Sequence, residues 1–327
     1  MRAAFYTRTG PAREVLQIGD QPTPHAGPGE VRLRLHASGV NPADANRRAG
    51  RTPGDFPLII ANSDGAGVVD EVGEGVDKCL VGCRVWLHNG QRGRPFGTAA
   101  EYIALDHSLV APLPDATSFE AGATLGIPGM TAHRCLFADG PVTGVDVLVT
   151  GGAGAVGNYA VQLAKQGGAR VLTTVSNAAK AAHARAAGAD VVIDYRTENV
   201  AERVLAETAG KGVARLVEVD FGGNLATTLR VMAVNGTVAM YASRGEQKPV
   251  VPIYDFMRRN VNIRTVFLAT VPLPARQQAQ RDLVALCESG RVVHAVASIH
   301  ALGDTAEAHL AVEAGTKLGT VVVDCTR

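Results

Sequence analysis

The sequence predicts an α/β protein: a mostly-β first region, then a doubly wound sheet of six parallel strands. Three observations predict it. Residues 31–37, Val-Arg-Leu-Arg-Leu-His-Ala, alternate apolar and polar with period two, as a strand buried on one face must. From about residue 124 strand-like and helix-like stretches alternate, which implies parallel strands with helices on both faces. A glycine-rich turn joins the first strand of that series to its first helix.

Within the first region, glycine- and proline-rich breaks at 39–42, 51–57 and 90–97 suit a compact β domain with irregular loops. The second region carries strand-like runs at 145–150, 169–175, 191–195, 214–221, 236–242 and 263–269. Helical spacing fills the gaps at 155–166, 178–187, 198–209 and 224–234. Six strands complete a doubly wound nucleotide-type domain. After residue 270 the alternation stops. A helix is expected at 275–290, with Leu283, Val284, Leu286 and Cys287 on one side, another at 304–314, and a closing strand at 320–324. This tail is too short to form its own domain, so it is expected to return to the first region.

Composition narrows the function. Of 327 residues, 46% are hydrophobic and 19% charged, and 32 Lys and Arg balance 31 Asp and Glu. That balance gives no global field for nucleic acid or an anionic membrane, so an anionic ligand must be held by local groups. No apolar run reaches the ~18–20 residues of a membrane span, and the first ten residues lack the apolar core of a secretory signal. Five scattered cysteines, 79, 83, 135, 287 and 325, read as reduced thiols in a cytoplasmic protein.

The strongest local signal is Val147-Leu-Val-Thr-Gly-Gly-Ala-Gly-Ala-Val-Gly157, in which Gly152-x-Gly154-x-x-Gly157 follows a strand and opens a helix. Such glycines permit a tight turn, backbone approach to a pyrophosphate and close helix–strand packing. The helix N-terminus adds unpaired N–H donors and partial positive charge. A site for NAD usually carries Asp or Glu at the end of the second strand. Here that strand ends Thr173-Thr-Val-Ser-Asn177, and Lys180 follows. Ser176 and Lys180 fit a 2′-phosphate, which a carboxylate would repel, so NADP(H) is the expected cofactor. The plainer alternative makes Lys180 a solvated helix residue.

With these residues in place the chain resembles the zeta-crystallin-like NADPH:quinone oxidoreductases of the medium-chain dehydrogenase/reductase superfamily. The resemblance covers nearly the whole chain. It is carried by Gly39-Val-Asn-Pro-Ala-Asp44, Asp64-Gly-Ala-Gly-Val-Val-Asp-Glu-Val-Gly-Glu-Gly75, Gly126-Ile-Pro-Gly-Met-Thr-Ala132, the turn at 151–157 and Ser243-Arg-Gly245. It implies a GroES-like, mostly-β catalytic domain built from 1–122 and 268–327, with an NADP-binding Rossmann domain at 123–267 inserted and the active cleft between them. It also implies a homodimer or homotetramer.

Residue by residue, the resemblance makes Asn41 a contact for the nicotinamide ribose or the substrate oxyanion. Thr131 comes near the nicotinamide amide, and Ala155 and Val156 offer backbone N–H groups to the pyrophosphate. Tyr195 stacks near or bonds the 2′-phosphorylated ribose. Ser243 lines the cofactor loop, Phe267 fixes the carboxamide through its backbone, and Lys317 approaches the adenosine phosphates. Thr131 and Phe267 have an alternative as packing residues, and Lys317 as a surface charge. Departures from the family are Gly82-Cys-Arg-Val85 and Ile60-Ala61-Asn62, the second bearing on the substrate pocket.

Zinc-dependent relatives place a Cys at the position of Asn41, Gly-His-Glu at Asn62-Ser63-Asp64, and a further ligand at Pro128. Zinc needs about three N, S or O ligands, which these residues do not supply, and Cys79 and Cys83 stand without nearby partners. The site is expected to hold no metal. The acceptor must then be electron-poor already, as quinones and conjugated enones are, with Asn41 the candidate donor to the developing oxyanion. Asp44, His88 and Tyr102 are possible second players, His88 more plausibly a surface or loop residue. Two alternatives stay open: an enone or enoyl-thioester reductase on the same fold, and a nucleotide- or RNA-binding crystallin-type protein, which the lack of a basic stripe and 5% aromatic content do not support.

Overall fold

A computed structural model describes residues 1–52 and 56–327. The break read at 51–57 includes residues 53–55, which lie outside the described residues. Two compact units divide the chain: Met1–Ile127 with Gln280–Arg327, and Pro128–Ala279. The chain crosses at 127/128 and 279/280, against 122/123 and 267/268 drawn from the sequence. The helix Leu273–Glu288 runs through the second crossing.

The first unit opens with strands β1 (Arg2–Tyr6), β2 (Gln17–Asp20), β3 (Glu30–Val40), β4 (Ile59–Ile60), β5 (Asp64–Val72), β6 (Arg84–Leu87), β7 (Tyr102–Asp106) and β8 (Val110–Pro112). In β3 the alternation read from sequence holds: Val31, Leu33 and Leu35 are buried, and Arg32, Arg34 and His36 face outward. Those inward residues meet Val69, Val85, Leu87, Ile103 and Leu105 in one apolar cluster.

The second unit holds β9 (Asp146–Val149), β10 (Arg170–Val175), β11 (Val191–Asp194), β12 (Val213–Glu218), β13 (Met232–Met240) and β14 (Asn262–Thr265). They pair in parallel in the order β11-β10-β9-β12-β13-β14. Six parallel strands with helical connections place every strand's carboxyl end on one sheet edge, where such sheets bind ligands. Two elements differ from their readings: the strand read at 263–269 ends at Thr265, with a 3-10 turn at Leu268–Thr270, and one helix is shorter. The helix expected at 224–234 stops at Val231, and the strand expected from 236 starts at Met232. Met232 is extended and registers with Val213, with its side chain buried in the sheet's core. Pairing with β12 overrides the local helical pattern.

The chain then returns to the first unit with β15 (Val296–Ala301) and β16 (Thr320–Asp324). Val321 to Asp324 pair antiparallel with Val40 to Ala37 of β3, and β15 runs parallel beside β16. Seven strands result, with β7 joining β3, while β2-β1-β4 form a smaller sheet. Among the described residues no helix is long and apolar enough to cross a membrane.

A buried cation braces the helix Pro42–Arg48. The Arg48 guanidinium is 1% exposed and donates to the Gly10 carbonyl and, at 2.5 Å, to Glu313 Oε1. Removing one partner of such a pair strands a buried charge. Glu313→Ala is therefore expected to lower stability by about 2–4 kcal/mol. Chemical denaturation at low and high salt checks this, and a loss that vanishes in high salt would show an ordinary surface pair.

Candidate functional site

The turn after β9 is shaped by atoms that leave no room for side chains. A Cβ on Gly152 would sit 2.1 Å from Thr173 Oγ1, and one on Gly157 would sit 2.2 Å from the Gly151 carbonyl. Gly151 itself has φ 70°, which glycine adopts without strain. The helix Ala155–Gln166 then begins at Gly154 with no side-chain cap, so its first N–H groups, those of Ala155 and Val156 included, lack the intrahelical partners that later residues have. Thr150 ties the turn to the neighbouring strand. Its hydroxyl lies 3.0 Å from Glu218 Oε1 and accepts the Val219 N–H at 2.9 Å. Burial pushes the Glu218 carboxyl up, against N–H donation from Asp220 and Asn224 and the bond to Thr150.

At the end of β10, Ser176 is buried and its hydroxyl accepts from Lys180 Nζ at 3.0 Å. Asn177 caps the next helix by accepting the Lys180 N–H at 2.9 Å, which sets Lys180 in the first turn. Tyr195 follows β11; its N–H bonds Val175 and its ring is exposed. Arg196, exposed one residue further, was not singled out from sequence, although the register Val175↔Asp194 puts it at the same edge. Ser243, after β13, accepts the Gly222 N–H at 2.9 Å and donates to the Glu246 carbonyl. Phe267, after β14, is exposed. The sheet thus gathers the turn, Ser176, Lys180, Tyr195, Ser243 and Phe267 at the carboxyl ends of its strands. Thr131 is apart from that row, buried in the first turn of the helix Met130–Phe137.

Asn41 and Lys317 belong to the first unit. Lys317 is not a solvated surface charge. Its ammonium donates to the Gly319 carbonyl, and burial lowers its pKa to about 8. His88 lies in the loop after β6, as read, but is not a surface residue: it is fully buried, with Nδ1 3.2 Å from Asn89 Nδ2 and Nε2 3.5 Å from Gln280 Nε2. Tyr102 lies on β7 under the Arg32 guanidinium, 5.5 Å from its ring centre.

Around Asn41 lies a buried polar network that sequence reading did not find. Asn41 precedes the helix Pro42–Arg48, and its backbone N–H donates to Asp44 Oδ2 at 2.9 Å. Asp44 Oδ1 accepts from the Ser63 hydroxyl at 2.6 Å. The Asn41 amide donates to Asp64 Oδ2 at 2.7 Å, and the Ile127 N–H reaches the same oxygen at 2.8 Å. Both carboxyls are removed from water. Burial pushes Asp44 up against its bonds to Ser63 and Asn41 and the charge of Arg47, and pushes Asp64 up to about 8.

A one-way chain of donors supports Asp64 from behind. His309 Nε2 is 2.9 Å from Asn62 Oδ1, Asn62 Nδ2 donates to Ser38 at 3.0 Å, and Ser38 meets Thr98 at 2.8 Å. Thr98 in turn donates to the Asp64 carbonyl at 2.7 Å. Burial holds His309 down to about 3, so the neutral ring donates to Asn62. Asn62 sits at φ 68°, a strained conformation that this network retains. Among the described residues no group of three or more His, Cys, Asp or Glu is placed to hold a metal ion, and all five cysteines are free.

Comparison with known proteins gives a consistent picture. Residues 27–115 match the family model for the alcohol dehydrogenase GroES-like domain, and residues 155–289 the model for zinc-binding dehydrogenase. The chain is 31% identical over 326 residues to a quinone oxidoreductase of Pseudomonas aeruginosa, covering 98% of each. It is 32% identical over 258 residues to the 2-methylene-furan-3-one reductase of Solanum lycopersicum, covering 75% of this chain and 66% of that one. Among solved structures, mycobacterial Rv1454c complexed with NADPH superposes with TM-score 0.88 at 33% identity, covering 99% of this chain and 100% of the other.

The Asp64 carboxyl has a consequence for stability. A carboxyl raised in the folded state binds its proton more tightly than in the unfolded chain, so its contribution is full below the unfolded value and is lost as pH rises through about 8. The thermal midpoint is expected to fall by several degrees between pH 6 and 9, and Asp64→Asn to remove much of that fall. Scanning calorimetry of both proteins across this range checks it; parallel curves would show that Asp64 is ionised throughout.

Proposed function

Because the chain belongs to the medium-chain dehydrogenase/reductase superfamily, in its NADPH:quinone oxidoreductase group, we propose that it is a zinc-independent, NADPH-dependent reductase of quinones or similar conjugated carbonyls. The observation that carries this reading is the Ser176–Lys180 pair beside an uncapped glycine turn, on a chain that leaves β10 without a carboxylate.

The residues present fit NADPH. The missing side chains of Gly152 and Gly157 let the turn close tightly on Thr173 and Gly151, and the bare N–H groups of Ala155 and Val156 suit the charge of a pyrophosphate. Ser176 and Lys180 offer a hydroxyl and a cation to a 2′-phosphate, with Tyr195 at the neighbouring strand end for the ribose. Ser243 and Phe267 serve the cofactor-lining loops, Thr131 the nicotinamide end, and Lys317 the adenosine phosphates.

Bound NADPH supplies a hydride from nicotinamide C4, and the remaining work falls to the protein. An acceptor that gains hydride develops negative charge on oxygen, and a preorganised donor stabilises that charge. Asn41 is the donor we assign. Its amide is buried and fixed by Asp64, with the Asp44 carboxyl also in reach of the side chain, so its orientation is set before an acceptor arrives. A solvent proton completes the reduction, and no general acid is required.

The zinc positions of related enzymes do not fit the metal here. Asn41 is bonded to Asp64, Ser63 to Asp44, and Asn62 to His309 and Ser38. Pro128 has no donor at all. Amide, hydroxyl and proline groups lack the thiolate and imidazole character zinc takes. The similarity to 2-methylene-furan-3-one reductase favours a second reading, reduction of an enone, which uses the same cofactor and the same donor. The five free cysteines support a cytoplasmic location, and the group implies a homodimer or homotetramer.

Oxidation of NADPH, followed by its near-ultraviolet absorbance with 1,4-benzoquinone or 9,10-phenanthrenequinone, tests the assignment. Turnover that prefers NADPH to NADH and survives EDTA is expected. Tight NADPH binding without quinone turnover would move the assignment to enones, and loss in EDTA would overturn zinc independence. Lys180→Ala should raise KM for NADPH about tenfold, ~1.4 kcal/mol, and leave KM for NADH nearly unchanged. Equal effects on both cofactors would place Lys180 away from the 2′-phosphate.

A further inference from the structure

Asp64 is the buried titratable group nearest the assigned donor, and the reaction as described gives it no task. We propose that Asp64 is a positioning residue, whose carboxyl locks the Asn41 amide with its N–H side inward so that the second N–H is presented to the acceptor oxygen. The inference rests on the assignment of Asn41 above.

Three features of the geometry support it. Oδ2 receives two N–H groups, from Asn41 at 2.7 Å and Ile127 at 2.8 Å, while Oδ1 is buried with no hydrogen-bond partner among the described residues. A backbone N–H can only donate, so Ile127 makes Oδ2 an accepting oxygen whether or not the acid is protonated. With an acceptor facing it in either protonation state, Asn41 must offer nitrogen, not oxygen, to Asp64. The carboxyl cannot back away, since it lies against Gly126, where a Cβ would come 2.4 Å from Cγ. Behind it, Thr98 holds the Asp64 carbonyl at 2.7 Å.

Charge makes the arrangement suitable for its task. The charged group acting on Asp64 is Asp44, on the helix Pro42–Arg48; Asn41, Ile127 and Asn89 contribute N–H donors, and Arg47 acts on Asp44. Burial and the second carboxyl both favour the protonated acid at neutral pH. A neutral acid behind Asn41 leaves its donor side free to meet a developing oxyanion. An ionised one would oppose that charge across a single amide.

The test compares Asp64→Ala, Asp64→Asn, Asn41→Ala and the Asp64→Ala/Asn41→Ala pair by steady-state kinetics over pH 6–10. Asp64→Ala is expected to lower kcat roughly tenfold to a hundredfold, as loss of an oriented oxyanion donor does. The double variant should be no slower than Asn41→Ala alone, because both changes remove one unit. Asp64→Asn, which keeps an accepting oxygen, should recover most of the loss. It should also lose the decline in kcat expected of the wild type above pH ~8. Multiplying losses in the double variant, or an Asp64→Asn enzyme as slow as Asp64→Ala, would overturn the proposal.

A second readout needs neither turnover nor the alanine variant to fold. In proton–nitrogen spectra the Asn41 side-chain amide should show one strongly shifted, slowly exchanging proton in the wild type and in Asp64→Asn. Its shift should titrate only in the wild type. An ordinary solvent-exchanged amide in the wild type would sink the positioning role. A wild type with the shifted amide but no quinone or enone turnover would instead refute the functional reading and leave the lock standing.

Discussion

A carboxyl shut away from water needs partners, and at Asp64 one carboxyl oxygen and the backbone carbonyl find them among the residues that surround Asn41. Desolvation of an unmatched polar group costs more than its hydrogen bonds return in solution. The strand β5 therefore starts with Asp64 placed where Asn41, Ile127 and Thr98 converge. Those partners come from the end of β3, from the last residues before the chain leaves the unit, and from the loop before β7. Asn41 in turn fixes the start of its helix, because Asp44 takes its N–H while Ser63 takes the other oxygen of Asp44. The buried Arg48 at the far end of that helix, paired with Glu313, anchors it to the C-terminal return. A small helix is thereby held at both ends by groups that cannot be hydrated without unfolding the region.

The same logic, with opposite emphasis, shapes the turn of the second unit. There the backbone donors are left unmatched at the start of the helix Ala155–Gln166, in a place where a ligand can reach them. Side chains around the turn are tied down instead: Thr173 donates to Val149, Thr150 meets Glu218, and Glu218 takes N–H groups from Asp220 and Asn224 on one oxygen. Rigid surroundings keep the open donors preorganised, which is what makes a fixed N–H cluster useful for an anion.

Legibility in the sequence divides along that line. The turn was readable because its signal is local: three glycines within six residues, a strand before and a helix after. Strand β3 was readable from period-two burial and the closing strand from its β-branched run Thr320-Val-Val-Val323, both written into consecutive residues. The Asp64 network was not readable, because its bonds join residues 23, 63 and, for His309 and Asn62, 247 positions apart. His88 looked like a loop histidine and is fully buried, and Lys317 turns its ammonium inward to Gly319. The boundary at Val231 and Met232 failed to show for the same physical reason: pairing with β12 decided it, and no local pattern carries that information.

The two carboxyls near Asn41 bear on the chemistry such a site can support. A divalent cation would neutralise both and draw them into the ionised form. Here the groups at the corresponding positions are an amide, a hydroxyl and a proline, and the first two bond to the carboxyls. Burial and the neighbouring carboxyl disfavour the charged form of Asp64, while burial disfavours that of Asp44 against Ser63, Asn41 and Arg47. The fold itself thus opposes two negative charges side by side. In the function proposed above, the acceptor's own conjugation disperses the incoming electrons and the protein is asked for one well-aimed N–H.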